Sequence, residues 1–181
     1  MSNKVYLAYD ERMTLHKPIF HDDWESQIVE NPNRVRAIYR KLLMMESDGF
    51  KRFWEIPCVP ATREVIELCH SPEHYNFLEA TSRMSDDELF YETIPDDLYF
   101  CNNTFLAARL ACGGVVECVD AVTDESKSRR SKRAIAIVRP PGHHASREKA
   151  SGKESNNFLM TNECDEKEHE LTIRFAALRS N

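Results

Sequence analysis

Two adjacent imidazoles are the first residues to suggest chemistry. His143 and His144 lie within "IVRPPGHHAS" (residues 137–146), where an apolar run gives way to Pro140, Pro141 and Gly142. Proline has no backbone donor and a fixed φ, so this turn cannot continue as a helix and holds the next residues, the two histidines, in a set place. An imidazole with an ordinary pKa of about 6.5 accepts and donates a proton near neutral pH. Two neighbours can divide that work if their surroundings differ, and a further group normally fixes the tautomer of each ring. An isolated His-His pair in a loop is usually incidental, so the context must decide. A second cluster, "NECDEKEHE" (162–170), sets Asp165 and His169 at helical i, i+4 spacing beside Cys164 and Glu168, a pattern that can bind metal. Its charge density and lack of apolar framing favour a solvated face. His16, His21, His70 and His74 read as loop or helix-cap residues.

The elements around the pair suggest how it is positioned. "KVYLAYD" (4–10) reads as a first strand, and "NPNRVRAIYRKLLMMESDG" as a helix with Asn31 as N-cap, Pro32 at its first position and Gly49 as its stop. A short second strand is expected around Ile56–Val59, with Thr62 and Ser71 opening two short helices. The strongest helix spans about 103–122, with Ala107, Leu110, Ala111, Gly114, Val115, Cys118, Val119 and Val122 on one stripe. Gly113 and Gly114 each cost a helix about 1 kcal/mol, which implies a close neighbour, expected to be the sheet. A third strand, Ala134–Val138, lacks polar alternation, reads as buried on both faces and is expected to be central. Alternating strands and helices imply an α/β fold with a parallel sheet. Ligands of such sheets bind outside the carboxyl ends of the strands, where His143 and His144 stand.

Composition narrows the partners. The 181 residues are 41% hydrophobic, enough for one domain, and a net charge of −6 with a pI near 5.7 argues against direct nucleic-acid binding. The most apolar helix candidate is interrupted by Arg109 and Glu117, so no membrane span is expected. Six cysteines without a C-x-x-C pair, and an N-terminus without a long apolar core, point to the nucleus or cytoplasm rather than secretion. "KSRRSKR" (127–133) reads equally as a nuclear localisation signal and as a solvated loop.

Five motifs occur in order: "YDERM" (9–13), "ENPNR" (30–34), "CHSPEHYNFLEATSRM" (69–84), "FLAARLACGG" (105–114) and "AIVRPPGHHA" (136–145). Together they resemble the N-terminal part of a class II histone deacetylase catalytic domain. The resemblance implies a partial arginase/deacetylase-like three-layer fold with a mostly parallel sheet, truncated before the later strands. It implies zinc-dependent hydrolysis of acetyl-lysine in histones or other proteins, chromatin-linked repression, and a corepressor-type complex among the partners. By matching positions, His144 is the proton-transfer residue and His143 its electrostatic partner, each with a carboxylate beside it. Arg34 lines an internal channel, and Pro141 and Gly142 shape the floor of the site.

After Gly152 the chain reads "KESNNFLM" and leaves the family pattern. The family's zinc ligands, an Asp-x-His pair and a further Asp, and its transition-state tyrosine belong to later segments. The expectation is therefore residues 1–152 as the N-terminal part of the catalytic domain and 153–181 as a divergent, poorly ordered tail, with no metal ligands and no tight zinc binding. Three functions are compatible with this sequence: the parent deacetylase, a non-catalytic fragment that binds a partner or nothing, and a metalloenzyme rebuilt on the tail. If strands flanking Ala134–Val138 are missing, core positions become exposed and an apolar patch results.

Overall fold

Strand β1, Val5–Ala8, places successive side chains on opposite faces of a sheet. Leu7 joins one apolar cluster with Val35 and Ile137, while Ala8 joins another with Cys58, Ala111 and Cys118. The structure, a computed structural model, describes residues 4–19, 28, 30–46, 49–93, 98–124, 126, 131–142 and 145–150. β2, Phe53–Ile56, and β3, Ala134–Ala136, flank β1 in the order β2-β1-β3, both parallel to it. Val5 faces Phe53, and Tyr6 faces Ala134.

Two expectations about strands are corrected here. β3 is not buried on both faces: Ala134, Ile135 and Ala136 are half-buried, and among the described residues the strand has one strand neighbour. The strand between two neighbours is β1, where Leu7 and Ala8 are 1% and 0% exposed. β2 lies at 53–56 rather than around 56–59. Pro57 and Pro60 have no N–H to offer a ladder, so pairing stops at Ile56.

Helix α1, Pro32–Met44, begins as its sequence implies: the Asn31 side chain accepts from the Asn33 N–H at 3.0 Å, and Pro32 occupies the first turn. Val35, Ile38, Tyr39 and Leu42 cover the Leu7 face of the sheet. The helix ends before Gly49, whose positive φ of 83° belongs to the following turn, where its N–H donates to the Glu46 carbonyl. α2, Arg63–Glu67, and α3, Pro72–Thr81, come next, the latter capped by Ser71 through the His74 N–H. α4, Asp86–Thr93, is a helix that the sequence patterning does not single out.

α5, Thr104–Thr123, packs on the Ala8 face, so the sheet lies between α1 and α5. Its glycines make room for the segment after β2, not for the sheet as expected. A Cβ on Gly113 would stand 1.6 Å from the Val59 carbonyl oxygen, and one on Gly114 would stand 2.8 Å from Cys58 Sγ. The Arg109 carbonyl accepts from the Ala61 N–H at 2.9 Å, and Arg109 Nε donates to the Ala61 carbonyl at 2.8 Å. Helix and segment are thereby joined by two hydrogen bonds that any side chain at position 113 would push apart.

Candidate active site

Because the three strands are parallel, their carboxyl ends share one edge, and the loops leaving that edge meet there. After β1, Asp10 caps a 3-10 helix at Glu11–Leu15 by accepting from the Arg12 N–H at 2.8 Å. After β3, the chain runs through Ile137, whose N–H donates to the Ala8 carbonyl at 2.9 Å, to Arg139 and the proline turn.

Arg139 is the centre of this edge, only 1% exposed. Its Nε donates to Glu30 Oε1 at 3.0 Å and its Nη2 to Glu30 Oε2 at 2.7 Å, a two-pronged pairing of guanidinium and carboxylate. Nη1 donates to the Met13 carbonyl at 3.2 Å and to the His16 carbonyl, while Nη2 also reaches the Tyr99 hydroxyl. That hydroxyl lies 3.0 Å from Glu30 Oε2. Burial, then the Glu30 charge, pushes the Tyr99 phenol well above its ordinary pKa, so it stays protonated. His16 stacks on Tyr99 with ring centroids 4.5 Å apart, and its Nδ1 lies 3.0 Å from Thr104 Oγ1. Burial, aided by the Arg139 charge, holds His16 well below the usual imidazole range, and the ring is neutral at pH 7.

A second clamp holds the other end of the loop. His70 Nδ1 lies 3.0 Å from the Ser146 carbonyl, which can only accept, so that nitrogen carries the proton. The Ser71 N–H donates to the Arg147 carbonyl at 2.8 Å, and Ser146 closes a turn with Lys149. The rings of His70 and His74 are 5.1 Å apart. Burial lowers the pKa of both, that of His74 to about 4.

Of the sequence-derived site residues, Gly142 is buried and its carbonyl accepts from the Ala145 N–H at 3.1 Å; Pro141 is half-buried beside it. Arg34 is half-buried in the first turn of α1. The Arg139–Glu30 pair connects these two places, since Glu30 lies four residues before Arg34. His143 and His144 lie outside the described residues, as do His21, residues 127–130 of the basic run, and the whole of 153–181 with Cys164, Asp165, Glu168 and His169. Among the described residues, no group of three or more His, Cys, Asp or Glu is placed to hold a metal ion, so these residues do not fit the zinc that the resemblance implies. No helix among them is long and apolar enough to cross a membrane.

Sequence reasoning missed Arg139, Glu30 and Tyr99 as a unit. A charged residue between an apolar strand and two prolines calls for a partner, which singles out Arg139. Nothing local points to Glu30, 109 residues away.

A parallel α/β sheet covered on both faces, with its loops pinned at the carboxyl edge, defines the class of domain. The profile of the histone deacetylase domain matches residues 28–157, and the chain belongs to that family. The histone deacetylase HDA1 of Saccharomyces cerevisiae is 37% identical over 163 residues, covering 82% of this chain and 22% of the relative. The polyamine deacetylase HDAC10 of Danio rerio is 32% identical, covering 84% of this chain and 22% of that protein. The crystal structure of the HDA15 HD domain superposes with a TM-score of 0.65 at 28% identity, over 82% of this chain and 39% of that one. The fold is thus of the arginase/deacetylase type, and the chain spans about a fifth of the length of the curated relatives it matches.

Proposed function

We propose that this chain carries the proton-handling part of a lysine deacetylase site. His144 takes a proton from water and delivers it to the leaving lysine amine, and His143 supports it electrostatically. Arg34 lines the channel beneath, and Pro141 with Gly142 forms the floor. The observation that carries this reading is the loop after β3: it leaves the carboxyl edge of the sheet, where such folds bind ligands, and is anchored before and after the histidine pair by Arg139 and by the His70–Ser146 bond.

The substrate is acetyl-lysine in a histone or another protein. The relative named for histones shares more identity with this chain than the one named for polyamines, which makes an acetylated polyamine the competing substrate. Nucleus or cytoplasm, and a corepressor-type complex, complete this reading.

A second reading rests on the sequence, which leaves the family pattern after Gly152, ahead of the segments to which the family's zinc ligands and transition-state tyrosine belong. A lone general base contributes only about 10²- to 10⁴-fold in rate, far short of what amide hydrolysis needs. In this reading residues 1–181 on their own are a non-catalytic unit, with 1–152 as the functional segment and 153–181 as a tail.

Two assays test these statements. Purified 1–181 is expected to bind no stoichiometric zinc and to release no acetate from acetyl-lysine peptides; tight zinc with turnover abolished by His144→Ala would overturn the non-catalytic reading. A chimera in which residues 1–152 replace the matching part of the yeast relative is expected to turn over acetyl-lysine and to lose that activity with His144→Ala. A chimera equally active with His144→Ala removes the proton-handling role.

A further inference from the structure

We infer that Arg139 is a positioning residue, which sets the start of the loop after β3 against three other segments at the site edge. This rests on the proton-handling role proposed for that loop and names the device that orients it.

Three segments converge on one guanidinium. Glu30 brings the segment ahead of α1, the Met13 and His16 carbonyls bring the segment after β1, and Tyr99 brings the segment ahead of α5. A planar fork with five donors satisfies a carboxylate, two carbonyls and a hydroxyl only in a narrow range of orientations, which a lysine ammonium does not reproduce. With both partners buried, at 1% and 5% exposure, water cannot replace a lost bond, so a shifted loop would strand a charge. Arg139 immediately precedes Pro140 and Pro141, whose restricted φ transmits its placement to Gly142, the residue before the histidine pair in sequence. Because Glu30 stands four residues before Arg34, the same pair also sets the loop against the start of α1.

A merely structural role predicts something different. A buried ion pair that only fills space tolerates replacement as long as the domain folds. A positioning role predicts that the domain folds but the histidine environment changes.

The experiment is ring-nitrogen NMR of His143 and His144 in the full 181-residue chain, with folding followed by circular dichroism. Arg139→Gln and Arg139→Lys are each expected to shift or broaden both imidazole signals, and Tyr99→Phe, which removes one hydroxyl, is expected to shift them less. Arg63→Gln, which breaks the surface pair with Glu67, is the control and should leave them unchanged. Wild-type signals in folded Arg139→Lys would overturn the inference, because charge alone would then suffice. If the Arg139 variants unfold, Tyr99→Phe decides: unchanged signals in that folded variant overturn the inference, and shifted signals support it. The readout needs no turnover, so a failed deacetylase assay and a failed positioning role give separate results.

Discussion

Two arginine–carboxylate pairs tether the segment after β1, with the same shortest contact of 2.7 Å, and only one of them is out of reach of water. Arg36 on α1 reaches Glu11 and, at 2.8 Å, Thr14 Oγ1; the Arg36 and Glu11 side chains are 34% and 61% exposed. Arg139 reaches Glu30, the pair being 1% and 5% exposed, and also the carbonyls of Met13 and His16. Bond length therefore says little about consequence. On the surface, solvent compensates a lost partner and the pair is worth about 0–1 kcal/mol. In the interior, removing one partner leaves the other charged and desolvated.

The largest effect comes from that asymmetry. Glu30→Gln should cost about 3–5 kcal/mol, read from the urea midpoint. A loss no greater than that of a surface substitution would mean that water enters the cluster. Arg139→Met combined with Glu30→Met should recover more than half of the single-variant loss, since no stranded charge remains; additive losses would contradict this account. Acid should come next. The native rings of His16, His70 and His74 resist protonation because they are buried, while the unfolded chain protonates near pH 6.5, so the unfolded state binds more protons and stability falls as pH drops below that value. With His74 lowered to about 4, this residue alone should remove about 2 kcal/mol between pH 7.5 and 5, and His74→Gln should flatten the dependence. Over that range the surface pair should persist: although burial pushes Glu11 upward, hydrogen bonds from Tyr9 and Arg36 hold it below the usual carboxylate range. The smallest effect is that of Arg36→Met, about 0–1 kcal/mol and reduced further in high salt; a larger, salt-independent loss would make the two pairs equivalent.

Where local chemistry dictates structure, the sequence is readable. Asn31-Pro32 and Ser71-Pro72 start α1 and α3 because their side chains satisfy helix N–H groups within a few residues. Ser85 and Glu88 carry the same kind of signal for α4, with reciprocal bonds between each side chain and the other's backbone N–H, yet the acidic run Asp86, Asp87 and Glu88 masks it by looking like a solvated segment. Pairing order is not readable: apolar runs at 5–8 and 134–138 look equally buried, and only the three-dimensional arrangement decides that β1 has two neighbours. The partner of Gly113 is hidden for a related reason, since small residues announce a close approach without saying what approaches. At the site, the places of Arg34 in the first turn of α1 and of Pro141 and Gly142 after β3 are implied by local motifs. The charge that links their segments depends on contacts between distant parts of the chain, which no local pattern records.

The position of β1 between β2 and β3 has a consequence in time. β1 cannot complete its hydrogen bonding in this sheet until Ala134–Ala136 is made. At about 5–20 residues per second, that leaves one edge of Tyr6–Ala8 unpaired for roughly 6–25 s of synthesis. During that wait the most deeply buried of the three described strands is a sticky ribbon, and whatever shields it meanwhile governs how much of the protein a cell recovers in soluble form.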